Sequence, residues 1–140
     1  MSLRVETDST WNGDEVKWRG RKATGRSTFE IGLAVQAAAK ALCPVKLGRL
    51  RGSITTQARS EGTEPETVKG SKASDKIAAP SDDLETYVGT GVEYGPYIEF
   101  GTVRSDAQPF LRPALDLAQG KTLTLVRKNA KWEFGDYLQQ

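Results

Sequence analysis

Two stretches of this chain repeat apolar residues at helical spacing, and three shorter ones alternate apolar with polar. Ile31, Ala34, Val35, Ala38 and Leu42 fall on one helical face and Pro44 stops the run, which predicts an alanine-rich helix over 27–43. Near the other end, Leu115, Leu123, Val126, Ala130, Phe134, Tyr137 and Leu138 share a face, with Arg127, Lys128 and Lys131 mostly opposite. Pro113 lacks an amide hydrogen and crowds the preceding turn, so a helix begun at Pro109 is disfavoured. The C-terminal helix is therefore expected over 113–138, after a turn at 109–112, with Gly120 as a soft point. Alternation predicts strands at 3–7, 53–59 and 84–90, the last two as antiparallel partners. Residues 60–83 between them are polar and rich in Gly, Pro and Ser. So long a connection is uncommon in a compact domain, and a projecting hairpin loop, mobile in the free subunit, is expected. Residues 11–25 carry Gly13, Gly20 and Gly25, which makes a helix there doubtful.

The expected architecture is α+β: a small antiparallel sheet of two to three strands with a long hairpin loop, packed against the alanine-rich helix and the C-terminal helix. A length of 140 residues suits one domain. Its parts are 1–26 (N-terminal strand and poorly patterned segment), 27–43 (helix), 53–92 (strand, long loop, strand), 94–112 (a turn-rich element) and 113–138 (helix).

Composition removes several functional classes. No apolar run approaches the roughly 20 residues that cross a bilayer, so no membrane partner is expected. The start lacks a hydrophobic signal region, so the protein is expected to stay where it is made. A net charge of +2 is too balanced to announce nucleic-acid binding. The absence of histidine removes the commonest general base and zinc ligand. A single cysteine, Cys43, cannot form an internal disulfide and reads as a small core residue. No metal, cofactor or catalytic set is expected.

Residues 88–115, VGTGVEYGPYIEFGTVRSDAQPFLRPAL, are too irregular for one element and too apolar for a solvated loop. Pro96 is preset for a first helical position, so residues 97–100 form about one turn, ended by Gly101 in a left-handed cap. Tyr97 and Phe100 then neighbour one another, either as a core plug or as a contact surface. Glu99 lies among Tyr94, Tyr97, Ile98 and Phe100, where a carboxylate must be solvated, paired or raised in pKa. Arg49, Arg51, Arg104 and Arg112 are the available partners, and an ordinary ion pair is preferred to a catalytic acid. Gly89-Thr90-Gly91 hints at a phosphate cradle, but the spacing to Gly95 departs from the dinucleotide fingerprint and turn geometry is preferred.

Three pieces in order carry a resemblance: 44–54 (PVKLGRLRGSI), 92–102 (VEYGPYIEFGT) and 108–115 (QPFLRPAL). Together they resemble the small neck or tail-completion proteins of long-tailed double-stranded-DNA bacteriophages and prophages. Members share an alanine-rich helix ending in proline, a TG-x-L-R-x-S-I turn, a Y-A-x-x-E-F-G-T element, and R-P-F-L-R-P-A opening a last helix. Leu47, Gly95 and Gln108 depart from that pattern, which usually has Thr, Ala and Arg there. The resemblance implies a structural virion protein in the neck or tail region, assembled in the host bacterial cytoplasm, and not an enzyme. It implies a homo-oligomeric ring, commonly six-fold, contacting other neck, connector and tail-tube proteins, with double-stranded DNA passing through the lumen without sequence recognition. On this view Gly48, Arg49, Leu50, Arg51, Tyr94, Tyr97, Glu99, Phe100, Gly101, Thr102, Pro109, Phe110, Arg112 and Pro113 are candidate interface or clamp residues.

Two other classes are weighed beside it. A small nucleic-acid-binding accessory protein would use Lys46, Arg49, Arg51, Arg127, Lys128 and Lys131. A hydrolase or transferase would need Glu93 or Glu99 as base, without histidine, metal motif or nucleophile elbow to help.

Overall fold

The computed structural model describes residues 12–44, 48–66 and 69–135. The strand expected at 3–7, and Lys46, Tyr137 and Leu138, lie outside them. The α+β expectation holds: among the described residues four α-helices accompany a two-stranded antiparallel sheet that packs on the first of them.

The first helix, α1, is Gly13–Leu42, fourteen residues longer at its start than expected at 27. The Asn12 side chain accepts from the Glu15 amide, and Asp14 and Glu15 complement the helix dipole. Each helical glycine costs about 1 kcal/mol relative to alanine, but tertiary contacts offset this. Arg19 donates to the Glu133 carbonyl oxygen at 3.1 Å, and the Arg26 guanidinium lies 4.5 Å from the Trp132 ring centre. Gly25 is required by packing, since a Cβ there would meet the Asp83 carbonyl oxygen at 2.6 Å.

The segment expected as a turn after Gly48 is a short helix, α2 (Arg49–Ser53), entered through Gly48 at φ +74°. Strands β1 (Thr55–Gln57) and β2 (Tyr87–Gly89) are shorter than expected and pair Thr55 with Gly89, Thr56 with Val88 and Gln57 with Tyr87. The described part of the connection between them is tied back to the body rather than projecting. Thr63 N–H donates to Thr56 O at 2.8 Å, Glu66 N–H to Gly52 O at 2.8 Å, and Asp75 is buried. It folds back because its backbone polar groups find partners on β1 and α2. Helix α3 is Gly95–Phe100, and α4 is Leu111–Phe134.

Helix α4 begins at Leu111 rather than Pro113. Pro113 then stands at the third helical position, where the amide has no intrahelical partner to lose. Its buried face also differs from the expected one. Ala114, Ala118, Asn129 and Glu133 are buried, whereas Leu115 and Leu123 are 50% and 58% exposed. The reason is close approach: Ala114 and Ala118 join Val35 and Ala39 of α1 in one core cluster, with Cys43, Leu50, Ile54, Val92 and Phe110. Bulky aliphatics on that line would hold the helices apart, so they lie on the flank. In α1 the expected face largely holds, with Val35 buried and Ile31, Ala34 and Ala38 packed against the core, but Leu42 is exposed and Ala23, Ser27, Gly32, Gln36 and Ala39 join the buried side. Farther along, the α1–α4 seam is polar: Asn129 Nδ2 donates to Ser27 Oγ at 3.3 Å and to Glu30 Oε2 at 3.2 Å.

Candidate functional site: a carboxylate-anchored turn beside an open strand edge

Helix α3 forms as its residues dictate. Pro96 occupies the first turn, and the amides of Tyr97 and Ile98 both donate to Tyr94 O, at 3.1 and 3.3 Å. Gly101 stops it at φ +76° and ψ 179°, where a Cβ would lie 2.8 Å from the Ala107 amide nitrogen. Thr102 and Ser105 then close a tight turn by exchanging backbone bonds of 2.8 and 3.3 Å. Gln108 N–H returns the chain to Ile98 O at 2.8 Å. Gly101 ends the helix as expected and at positive φ, but with ψ near 180° it is not the left-handed helical cap that was expected.

Glu99 is buried, and its mate is none of the four arginines. Oε2 accepts from the amides of Phe110 (2.8 Å) and Leu111 (3.0 Å), and Oε1 from that of Arg112 (3.1 Å). These are the unsatisfied donors at the start of α4, whose own N-cap, Phe110, has no side chain to offer them. A residue of one helix thus caps another. Burial pushes the Glu99 carboxyl upward, but the three amides and the charge of Arg112 outweigh it and hold the group below its ordinary value. That is the opposite of what a general acid requires. Arg112 lies over the Phe100 ring, 4.9 Å from its centre, while Arg51 and Arg104 point to solvent.

Arg49 has a different partner. Its Nε and Nη2 donate to the two oxygens of Asp75 at 2.9 and 2.7 Å, a bidentate pair in which the Asp75 side chain is almost fully buried. The guanidinium holds the Asp75 carboxyl below its ordinary value, and the carboxylate raises Arg49. Sequence reasoning missed Asp75. The available signal was Gly91, at which a Cβ would sit 2.3 Å from Ser74 O. Gly91 therefore serves close chain approach, whereas a Cβ on Gly89 would make only ordinary contact, and neither glycine has the positive φ that the preferred turn-geometry reading would use.

The aromatics of α3 are not a core plug. Tyr97 is 61% and Phe100 63% exposed, and Val103 on the following turn is fully exposed. Of the other candidates, Leu50 and Phe110 are core, Tyr94 and Pro113 are half-buried, and Thr102 and Pro109 are exposed. The 94–112 element is thus core on one side and open apolar surface on the other.

Beside it runs a strand edge that pairs with no other strand among the described residues. Thr56 N–H donates to Thr63 Oγ1 (2.9 Å) and Thr56 O accepts from Thr63 N (2.8 Å), so the Thr56 main chain faces away from β2. Antiparallel alternation then makes Thr55–Gly89 and Gln57–Tyr87 the bonded pairs, and turns the Val88 N–H and C=O outward. A groove of about 440 Å³ follows this edge, lined by Ile77, Val88, Phe100, Phe110 and Leu111 among others. A second, of about 510 Å³, lies between α1 and β2 and includes Ile31, Leu84 and the exposed Leu115.

Two of the cations considered for nucleic acid, Arg49 and Lys128, are each held in an ion pair. Arg49 stands by the C-terminal end of α1 and is tied to Asp75. Lys128 lies beside the middle of α1 and is tied to Glu30 at 2.7 Å. Among the described residues there is no cluster of three or more metal-ligating side chains, and no helix is long and apolar enough to cross a membrane. Comparison with protein-family models, with curated proteins and with solved structures returns no match.

Proposed function

We propose that this chain is a ring-forming structural subunit of the neck or tail-completion region of a long-tailed double-stranded-DNA bacteriophage, joining the head to the tail. The observation that carries self-assembly is the pairing of an ordered apolar knob with an open edge. Tyr97, Phe100 and Val103 are held out by a turn whose other side is anchored through Glu99, next to the outward main chain of Val88. Contiguous apolar surface on an ordered scaffold marks a contact site, and an unpaired strand edge accepts main-chain bonds from another chain. When a knob on one copy meets a groove elsewhere on the next, the contact is head-to-tail, and its closure makes a ring. The ring in this reading is six-fold, and DNA traverses its lumen without sequence recognition.

The three motif pieces support the phage assignment because each has a distinct part in the same element. The 44–54 piece supplies Leu50 and Ile54 to the core, the 92–102 piece supplies Glu99 and the knob, and the 108–115 piece supplies the amides that Glu99 holds. The test is the pair Tyr97→Ala and Phe100→Ala, followed by sedimentation velocity and negative-stain microscopy. Ring assembly is expected to be lost while unfolding stability changes by about 0.5 kcal/mol or less, as for exposed positions. Rings that form as readily as in wild type would refute the interface.

A further inference from the structure

We propose that residues 72–78 act as a strap that restrains assembly, held closed in the free subunit by the Arg49–Asp75 pair and lifted when subunits join. This rests on the self-assembling reading above. The strap crosses just beyond β2: Gly91 N–H donates to Asp75 O at 2.8 Å, two residues past the strand's end, and the Ile77 methyl lies 3.8 Å from where a Gly89 Cβ would be. Ile77 and Ala78 form one wall of the groove that follows the outward main chain of Val88. An extended segment adding to that edge and running on past Gly89 meets the strap.

The attachment of the strap is concentrated. Asp75 takes both Arg49 bonds and, through its carbonyl, the Gly91 amide, while its bond from the Lys72 amide is internal to the strap. Lys72, Ala73, Ser74, Lys76, Ala78 and Ala79 are exposed, with Lys76 paired only to Glu64 of the same connection. A segment with so little buried apolar surface opens locally once its anchor is lost. Among the ion pairs of the described residues, Arg49–Asp75 is the most buried, with side chains 19% and 1% exposed. Buried pairs stabilise little relative to apolar replacements, and specifying or switching a conformation is their best-attested use. Here the pair fastens a polar segment next to an assembly edge. The strap thereby limits how far a second strand can run along an edge that is open at Val88.

The experiment uses the full chain in three forms. Ile77→Cys with Gly89→Cys closes the strap by a disulfide under oxidation. Arg49→Met and, separately, Asp75→Asn release it, with release checked by faster hydrogen exchange at the Gly91 amide. Sedimentation velocity over a concentration series reads self-association. The released variants are expected to associate at about tenfold lower concentration than wild type, and the oxidised double cysteine at about tenfold higher, reverting on reduction. Equal association in locked, wild-type and released forms would overturn the strap and leave the ring reading standing. If no form associates, released variants included, both fall.

Discussion

Replacing Glu99 by Gln is the sharpest test of how this element is held together. The change keeps shape and one carbonyl oxygen but turns the other oxygen into an NH2 group. If the oxygen stays with Phe110 and Leu111, the new amide faces the Arg112 N–H, donor against donor. That leaves one buried donor unsatisfied, at about 1–3 kcal/mol, and turns two charge-assisted bonds into neutral ones of about 1 kcal/mol each. Loss of the anion at the α4 N-terminus adds about 0.3–1 kcal/mol. These terms overlap, and the expected destabilisation is about 3 kcal/mol. For a chain of this length that lowers Tm by about 10 °C. Chemical denaturation at neutral pH measures it, and a loss below about 0.5 kcal/mol would refute the capping role. The pH dependence gives a second readout. The folded-state pKa of Glu99 lies below its ordinary 4.5, so its contribution is fully present above that value and is lost as pH falls through the lower folded-state pKa. The gap between wild type and Glu99→Gln should therefore be constant above about pH 4.5 and shrink below it.

Two further substitutions probe the packing. Gly91→Ala drives a Cβ into the Ser74 carbonyl and should cost about 2 kcal/mol by denaturation, with faster exchange across 72–78; a neutral effect would show that the strap does not press on Gly91. Asn129→Ala strips the buried α1–α4 seam of its bonds to Ser27 and Glu30 and should cost about 1–2 kcal/mol, read in the same assay; an unchanged midpoint would mean that those bonds contribute no net stability.

What was legible in the sequence was whatever depends on local spacing. The alanine-rich helix, the two central strands, the helical turn after Pro96 and its Gly101 stop all follow from patterns a few residues long. The misses share a physical cause in contacts between distant residues. Nothing local announces that Arg19, Lys22 and Arg26 meet Glu133 and Trp132 and so carry α1 through three glycines. Apolar periodicity favoured Leu115 and Leu123 for the core of α4, but a close helix pair selects small residues, so Ala114 and Ala118 are buried instead. Glu99 was rightly singled out as a carboxylate in need of a partner. Its partner was sought among cations because backbone amides are the same at every position and leave no mark in a sequence. Asp75 was hidden in the polar connection, where a single buried acid looks like any solvated one.

The Glu99 bonds have a mechanical consequence. They fasten the short helix that presents the knob to the first turn of a helix of 24 residues, about 36 Å long at the standard rise. Because α4 is itself packed along α1 through Ala114, Ala118 and Asn129, α3 cannot shift without moving the start of that pair. A push received at Tyr97 or Phe100 is thus borne by the two long helices together rather than by a loose surface turn.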